Sequence, residues 1–118
     1  MAELGPEATR EALRRARADA EAQVNALSDD LRGVIDASRS SNADDEHDPE
    51  GATIAFERAQ VIALLAAAKQ RLADLDDALA RHAAGTYGTC EACGRPIPPE
   101  RLAVRPAARR CVTCAARP

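Results

Sequence analysis

Four cysteines in two Cys-x-x-Cys pairs are the residues in this chain best suited to do chemistry. The pairs are Cys90/Cys93 and Cys111/Cys114, and seventeen residues separate them. Each pair can present two thiolates from one tight turn, and a connector of this length lets the second turn return beside the first. The spacing predicts one tetrahedral zinc ion with Zn–S bonds of about 2.3 Å. Because protein sulfurs fill all four positions, we expect a structural site, with no place for a substrate.

Other uses of paired cysteines fit the sequence less well. Disulfides require an oxidising compartment, yet the N-terminal segment MAELGPEATR has no apolar region of the signal-peptide kind. No stretch approaches the about 20 apolar residues of a membrane span, so no membrane association is expected. A thioredoxin-like redox motif would occur once, within a βαβ pattern, whereas the motif here occurs twice among turn residues.

Catalytic arrangements are not evident in the sequence. His47 and His82 lie thirty-five residues apart, and the zinc site uses all the cysteines, so no nucleophile and base pair can be assigned. His82 near a helix C-terminus is expected to complement the helix dipole. We therefore predict no catalytic residues, no further cofactor-binding residues and no enzyme activity.

Charge divides the chain into two parts. Residues 1–84 carry ten basic and seventeen acidic side chains, a net charge of −7, whereas residues 85–118 carry six arginines and two glutamates, a net charge of +4. The apolar content is mostly alanine, and Phe56 and Tyr87 are the two aromatic residues. A large globular core is therefore not expected, and a charge of +4 without an aromatic platform is a weak nucleic-acid footprint.

Two long helices are predicted before the cysteines, near residues 7–38 and 49–83. Pro6 suits the first turn of the first helix, Asp48-Pro49-Glu50 suits the start of the second, and Gly85 suits its left-handed C-terminal cap. Each helix carries an apolar heptad seam with spacings of three and four. The first seam comprises Leu13, Ala16, Ala20, Val24, Leu27, Leu31 and Val34. The second seam comprises Val61, Leu65, Ala68, Leu72, Leu75 and Leu79.

The two seams predict a mainly α fold in which the helices form a long antiparallel hairpin, a two-helix coiled coil, at residues 1–84. At 1.5 Å per residue the hairpin would be about 50 Å long. A small C4 zinc finger, or zinc ribbon, is predicted at 85–118. Ile97 and Leu102 are expected to form a small apolar plug beneath its metal.

An acidic connector, DASRSSNADDEHD, runs from Asp36 to Asp48 and forms the predicted tip of the hairpin at about residues 39–50. One interpretation is a loop that remains solvated through its charge. The other is a partner-binding tip whose carboxylates meet a metal ion or a basic surface. The candidate tip residues are Asp44, Asp45, Glu46, Asp48 and Glu50.

The segment around the cysteines resembles the DksA/TraR C4-type zinc-finger family. The residues that carry the resemblance are Gly85, Tyr87, Gly88, Cys90 to Gly94, Ile97, Arg101-Leu102, Pro106 and Cys111 to Cys114. The helical hairpin with an acidic tip is similar to that family's architecture as well. The family's tip pattern, Asp-x-x-Asp-x-Ala, can be aligned in two registers. Its first Asp falls at or beside Asp48, which places Gly51 and Thr53 near the second Asp and the Ala; alternatively, Asp45 and Asp48 supply both acids and Glu50 stands in place of the Ala. The tip departs from the pattern in both registers.

This resemblance implies a cytoplasmic bacterial transcription regulator whose partner is RNA polymerase. Members of the family insert the hairpin through the secondary channel, so that the tip approaches the catalytic centre, and some act together with ppGpp. No ppGpp contact is assigned to residues of this chain, and no sequence-specific DNA contact is expected.

The alternative function is a zinc-ribbon module that binds nucleic acid or another protein and uses the coiled coil as a dimerisation stalk. The arginines of the C-terminal part, Arg95, Arg105, Arg109 and Arg110, could contact phosphates in that case. They could equally offset the formal −2 charge of four thiolates around Zn²⁺.

Overall fold

The computed structural model describes residues 5–41 and 49–117. Four helices follow one another along this part of the chain: α1 (Pro6–Ser41), α2 (Pro49–Ala84), α3 (Pro99–Val104) and α4 (Val112–Ala115). The fold is mainly α, as predicted, with a long hairpin of α1 and α2 followed by a small segment that carries the four cysteines.

Helix α1 continues further than the sequence predicts. The connector was expected to begin at Asp36, but the helix runs on to Ser41. Between Gly33 and Pro49 the sequence has no glycine or proline to stop it. Arg39 also lies in the last turn, where a positive charge complements the helix dipole. Residues 39–41 of the expected tip are therefore helical.

The described chain forms two compact units, unit 1 (Met1–Asp19 with Arg71–Pro118) and unit 2 (Ala20–Gln70). In unit 1, Leu13 and Leu75 are each 1% exposed, and a salt bridge between Arg17 and Asp76 joins α1 to α2. In unit 2 the buried residues are Ala20, Leu65 and Ala68. These five residues were all assigned to the heptad seams.

One buried residue lies outside the predicted seam. Ala78 is fully buried in unit 1, one position before the seam residue Leu79, which is half-buried. A methyl side chain can lie at a close approach of two helices whatever its heptad position, and a strict three-and-four spacing does not identify it.

Helix α2 bears on the membrane question. The expectation that no stretch approaches about 20 apolar residues holds for uninterrupted runs, the longest of which covers residues 61–68. Within the described residues, Gly51–Ala84 is nevertheless long and apolar enough to cross a membrane by length and composition alone. This signal is weak, since Gly51–Ala84 also contains eight charged side chains, and each would be costly in a bilayer core.

Candidate metal centre

The chain enters the cysteine segment through a sharp turn at the end of α2. Gly85 has φ of +81°, a conformation that glycine adopts without the steric penalty of a side chain. The Thr86 N–H donates to Arg81 O at 2.9 Å and the Gly85 N–H donates to His82 O at 3.1 Å. This pair of bonds is a Schellman cap, which satisfies the last carbonyls of α2 and fixes the direction of the chain toward Cys90.

The first cysteine pair lies in a tight turn held by backbone hydrogen bonds. The Cys90 N–H donates to Arg95 O at 2.8 Å, and the Gly94 N–H donates back to Cys90 O at 2.9 Å. Gly94 has φ of +74°, which closes this turn. Just outside it, the Ile97 N–H donates to Gly88 O at 2.7 Å. The turn therefore presents the Cys90 and Cys93 side chains together.

The second pair comes from the start of α4. Cys111 precedes α4 as its N-cap residue and Cys114 lies within the helix. The Glu91 N–H donates to Arg109 O at 2.9 Å, which ties the first turn to the chain just before Cys111. The two Cys-x-x-Cys motifs are thus brought side by side, as their spacing predicts.

All four Sγ atoms, those of Cys90, Cys93, Cys111 and Cys114, lie within 4.8 Å of one another. The Sγ atoms of Cys93 and Cys111 are 4.0 Å apart. A tetrahedron with Zn–S bonds of about 2.3 Å has edges of about 3.8 Å, so the cluster has nearly the size that a zinc ion requires. The donor set and its dimensions fit one structural zinc ion.

The backbone around the sulfurs favours thiolates at two of these positions. Backbone N–H groups, first that of Cys111 and then those of Cys93 and Ala92, lower the pKa of the Cys90 thiol to about 6. The backbone N–H of Cys114 likewise lowers the pKa of Cys111. These N–H groups stabilise negative charge on sulfur, which is the form that binds metal.

Cys114 behaves in the opposite way. Its hydrogen bond with the Cys111 sulfur, followed by burial, raises the pKa of the Cys114 thiol to about 12. Ionising all four adjacent sulfurs is energetically unfavourable unless a cation lies among them, because the negative charges repel one another. The high pKa at this position is therefore what an unneutralised four-thiolate cluster produces, and zinc supplies the missing positive charge.

A small apolar cluster lies against the sulfurs. Ile97 is 3% exposed and shares this cluster with Cys90 and Cys114. Leu102, from α3, packs against it as a partly buried side chain. The prediction of an Ile97 and Leu102 plug is confirmed, and its small size means that apolar burial contributes little to the stability of this segment.

The contacts that join the cysteine segment to the end of α2 were not predicted. The Arg109 guanidinium lies 2.8 Å from Asp77 Oδ2, and Arg81 Nε donates to that same oxygen at 3.0 Å. The Tyr87 hydroxyl donates to Pro106 O at 2.8 Å. One sequence signal points to these contacts: Asp77 and Arg81 are spaced at i and i+4. That spacing is also typical of an ordinary surface ion pair. Asp77, Arg81 and Tyr87 hold the segment in place within unit 1.

Two of the four arginines expected to offset the charge of the zinc site have carboxylate partners. Arg109 pairs with Asp77, and Arg110 Nε donates to Glu91 Oε1 at 3.2 Å. Arg101 Nε donates to Arg110 O at 2.7 Å. Part of the positive charge of residues 85–117 is thus used within the chain.

His82, in the last turn of α2, lies beside Tyr87, with ring centroids 6.0 Å apart.

The candidate tip residues Asp44, Asp45, Glu46 and Asp48, together with His47, lie outside the described residues. Glu50 lies in the first turn of α2, and its side chain is outside the described part. The partner-binding assignment of these residues therefore stays a prediction.

Comparison with known proteins agrees with the site. Residues 85–118 match the family described as the prokaryotic dksA/traR C4-type zinc finger. The fold is similar to that of the transcription factor DksA2 from Pseudomonas aeruginosa, with a TM-score of 0.76 and 28% identity, over 93% of this chain and 79% of DksA2. Residues 85–118 thus form a C4-type zinc finger of the dksA/traR kind, and the similarity of both finger and fold supports the DksA/TraR family.

Two curated relatives are similar to parts of this chain. YteA of Bacillus subtilis is 40% identical over 67 residues, which cover 57% of this chain and 28% of YteA. A protein of Aquifex aeolicus is 48% identical over 44 residues, which cover 37% of this chain and 30% of that protein. The chain thus spans less than a third of either relative. What these longer proteins do as a whole does not transfer directly to it.

Proposed function

We propose that this protein is a bacterial transcription regulator that binds RNA polymerase. In this proposal the hairpin of α1 and α2 enters the secondary channel, and the acidic tip acts near the catalytic centre. The zinc finger forms the base, with Cys90, Cys93, Cys111 and Cys114 as the four zinc ligands. The protein works in the cytoplasm and has no enzyme activity of its own.

One observation carries the proposal: the likeness to transcription factor DksA2 extends over 93% of the chain and so includes the hairpin as well as the finger. A zinc finger alone would fit many functions, since fold and function are only loosely connected. A finger joined to a long hairpin is a much more specific combination. The Asp77–Arg109 ion pair supports it, because it fixes the finger to the end of α2.

Co-purification tests the partner directly. The tagged, zinc-loaded protein is expressed in its source bacterium and recovered at about 0.1 M salt, where surface ion pairs are only partly screened. We expect the subunits of RNA polymerase to co-purify in near-stoichiometric amounts. Shortening the tip should leave most of this binding intact, because most of the contact area is provided by the helices and finger. Absence of polymerase from the recovered material would contradict the proposal.

The nucleic-acid-binding alternative is less well supported. Arg109 and Arg110 pair with carboxylates inside the chain, which reduces the charge available for phosphates. A salt-sensitive shift of DNA by the protein without polymerase would favour this alternative.

A further inference from the structure

Unit 2 contains an open groove between α1 and α2, with a volume of about 450 Å³. Val34 and Val61 are half-buried and form its apolar floor together with the backbone at Gly33. Asp29, Asp30 and Glu57 line its edge and are exposed. The groove thus combines an apolar base with an acidic rim.

Gly33 is unexplained by the chain itself. It lies in the interior of α1, where glycine destabilises a helix relative to alanine. Its φ is not positive, since the positive-φ glycines among the described residues are Gly85, Gly88 and Gly94. A Cβ added at Gly33 would meet nothing within 4 Å. Neither the backbone conformation nor packing within the protein requires a glycine here, whereas a molecule lying in the groove would need this position to be free of a large side chain.

The charge around the groove indicates what kind of molecule would lie there. Among the residues that line the groove, Asp29, Asp30 and Glu57 are acidic and none is basic. At the rim, Asp29 pairs with Arg32 at 3.4 Å, with both side chains largely exposed. Asp30 lies on α1 and Glu57 lies on α2, and both side chains line the groove. A cation with an aliphatic stem would match the acidic rim and the apolar floor together.

We propose that this groove is a docking site for a basic segment of the protein partner, which inserts an arginine or lysine side chain over Gly33. The aliphatic stem lies on Val34 and Val61, and the charged group pairs with Asp30 and Glu57. This inference rests on the proposed function, in which the partner is RNA polymerase. It assigns a polymerase contact to the side of the hairpin, separate from the acidic tip.

The test compares two substitutions at Gly33. Gly33→Leu fills the groove with a good helix former, whereas Gly33→Ala removes the same glycine but leaves the groove open. Affinities of the full-length, zinc-loaded proteins for purified RNA polymerase are measured by biolayer interferometry. We expect Gly33→Ala to bind as the parent does and Gly33→Leu to bind about tenfold more weakly, the loss typical of a blocked central contact. Circular dichroism should show both variants to be as helical as the parent.

A second pair of variants tests the acidic rim. Asp30→Asn with Glu57→Gln removes two charges from the groove, and Glu7→Gln with Glu11→Gln removes two charges from exposed positions of α1 in unit 1. The rim variant should lose affinity about tenfold at low salt and show a weaker salt dependence, because its attraction to a basic partner is electrostatic. The control variant should change affinity by no more than about twofold.

The outcomes separate this inference from the proposed function. If the parent binds polymerase and Gly33→Leu binds equally well, the groove is not a docking site, although the proposed function stands. If Gly33→Leu alters self-association in sedimentation instead of polymerase affinity, the occupant is a second copy and the proposal is wrong. If the parent binds no polymerase, the proposed function fails and the inference fails with it.

Discussion

Zinc binding at the residue scale depends on how four sulfurs share negative charge. The backbone N–H groups around Cys90 and Cys111 favour their thiolates, while the buried Cys114 retains its proton. A divalent cation removes this conflict, because it attracts all four sulfurs at once. Metal binding and folding of the finger should therefore be coupled.

Removal of zinc is predicted to unfold residues 85–117 and leave the hairpin helical. Ile97 and the partly buried Leu102 provide too little apolar burial to hold the segment alone, so metal binding should supply on the order of 10 kcal/mol. Elemental analysis should find one zinc per chain, and NMR after chelation should show loss of the finger's dispersed signals. Zinc-free protein from a reducing preparation, or a finger that keeps its structure without metal, would contradict this.

Zinc binding near pH 7.5 is predicted to release at least one proton per ion, that of Cys114, since its pKa is raised to about 12 in the metal-free cluster. The apparent zinc affinity should therefore rise with pH. Titration calorimetry in buffers of different ionisation enthalpy measures the number of protons. Identical heats in all buffers would show that the sulfurs are already ionised.

The same cluster predicts loss of zinc in acid. The pKa of Cys90 is lowered from 9.0 to about 6, so the stabilisation from its thiolate is complete above pH 9 and lost as the pH falls through about 6. The affinity for zinc should therefore fall as the pH falls through this range, and competition with a metallochromic indicator would report it. An affinity that is the same at pH 9 and pH 5 would contradict the assignment.

At the element scale, the hairpin depends on few buried side chains. Leu75 is 1% exposed, whereas Leu64 on the same helix is 50% exposed. Leu75→Asp should destabilise the protein by more than about 3 kcal/mol, because it removes apolar contacts and buries an unpaired charge. Leu64→Asp is the matched control and should change stability by less than about 1 kcal/mol. Thermal unfolding followed by circular dichroism measures both, and equal melting temperatures would show that Leu75 is not in the core.

Sequence patterns predicted these elements well where local rules determine structure. Heptad spacing identified Leu13, Leu65 and Leu75, and the Gly85 cap identified the end of α2. Sequence patterns failed where a residue's burial or partner depends on contacts that are distant in sequence. The Asp77–Arg109 ion pair spans thirty-two positions, and Ala78 is buried although it lies outside the heptad seam. Neither follows from periodicity.

The four-cysteine site was predictable almost in full, because short spacing and ligand chemistry leave few arrangements open. The ion pairs around the site were less predictable. The partners of Arg109 and Arg110 depend on where Asp77 and Glu91 are brought by the fold, and charge counting alone could only suggest a general role for these arginines.

At the scale of the whole molecule, the account requires the hairpin to carry charge to a place that a globular domain cannot reach. The candidate tip residues concentrate five carboxylates between positions 44 and 50, and the helices that lead to and from them are long and continuous. Contact area along the helices and finger would provide most of the affinity, while the tip would determine the effect on transcription.

The lifetime of open promoter complexes with purified RNA polymerase tests this claim most directly. The parent is compared with a variant in which Asp45, Asp48 and Glu50 are replaced by Asn, Asn and Gln, a change that removes charge with little change in shape. Loss of the Asp48 and Glu50 charges should cost about 1 kcal/mol at the start of α2, so zinc content and helicity should persist. The account predicts that the parent changes the lifetime. It predicts that the variant still binds polymerase but no longer changes the lifetime. A variant that alters the lifetime as the parent does would contradict it.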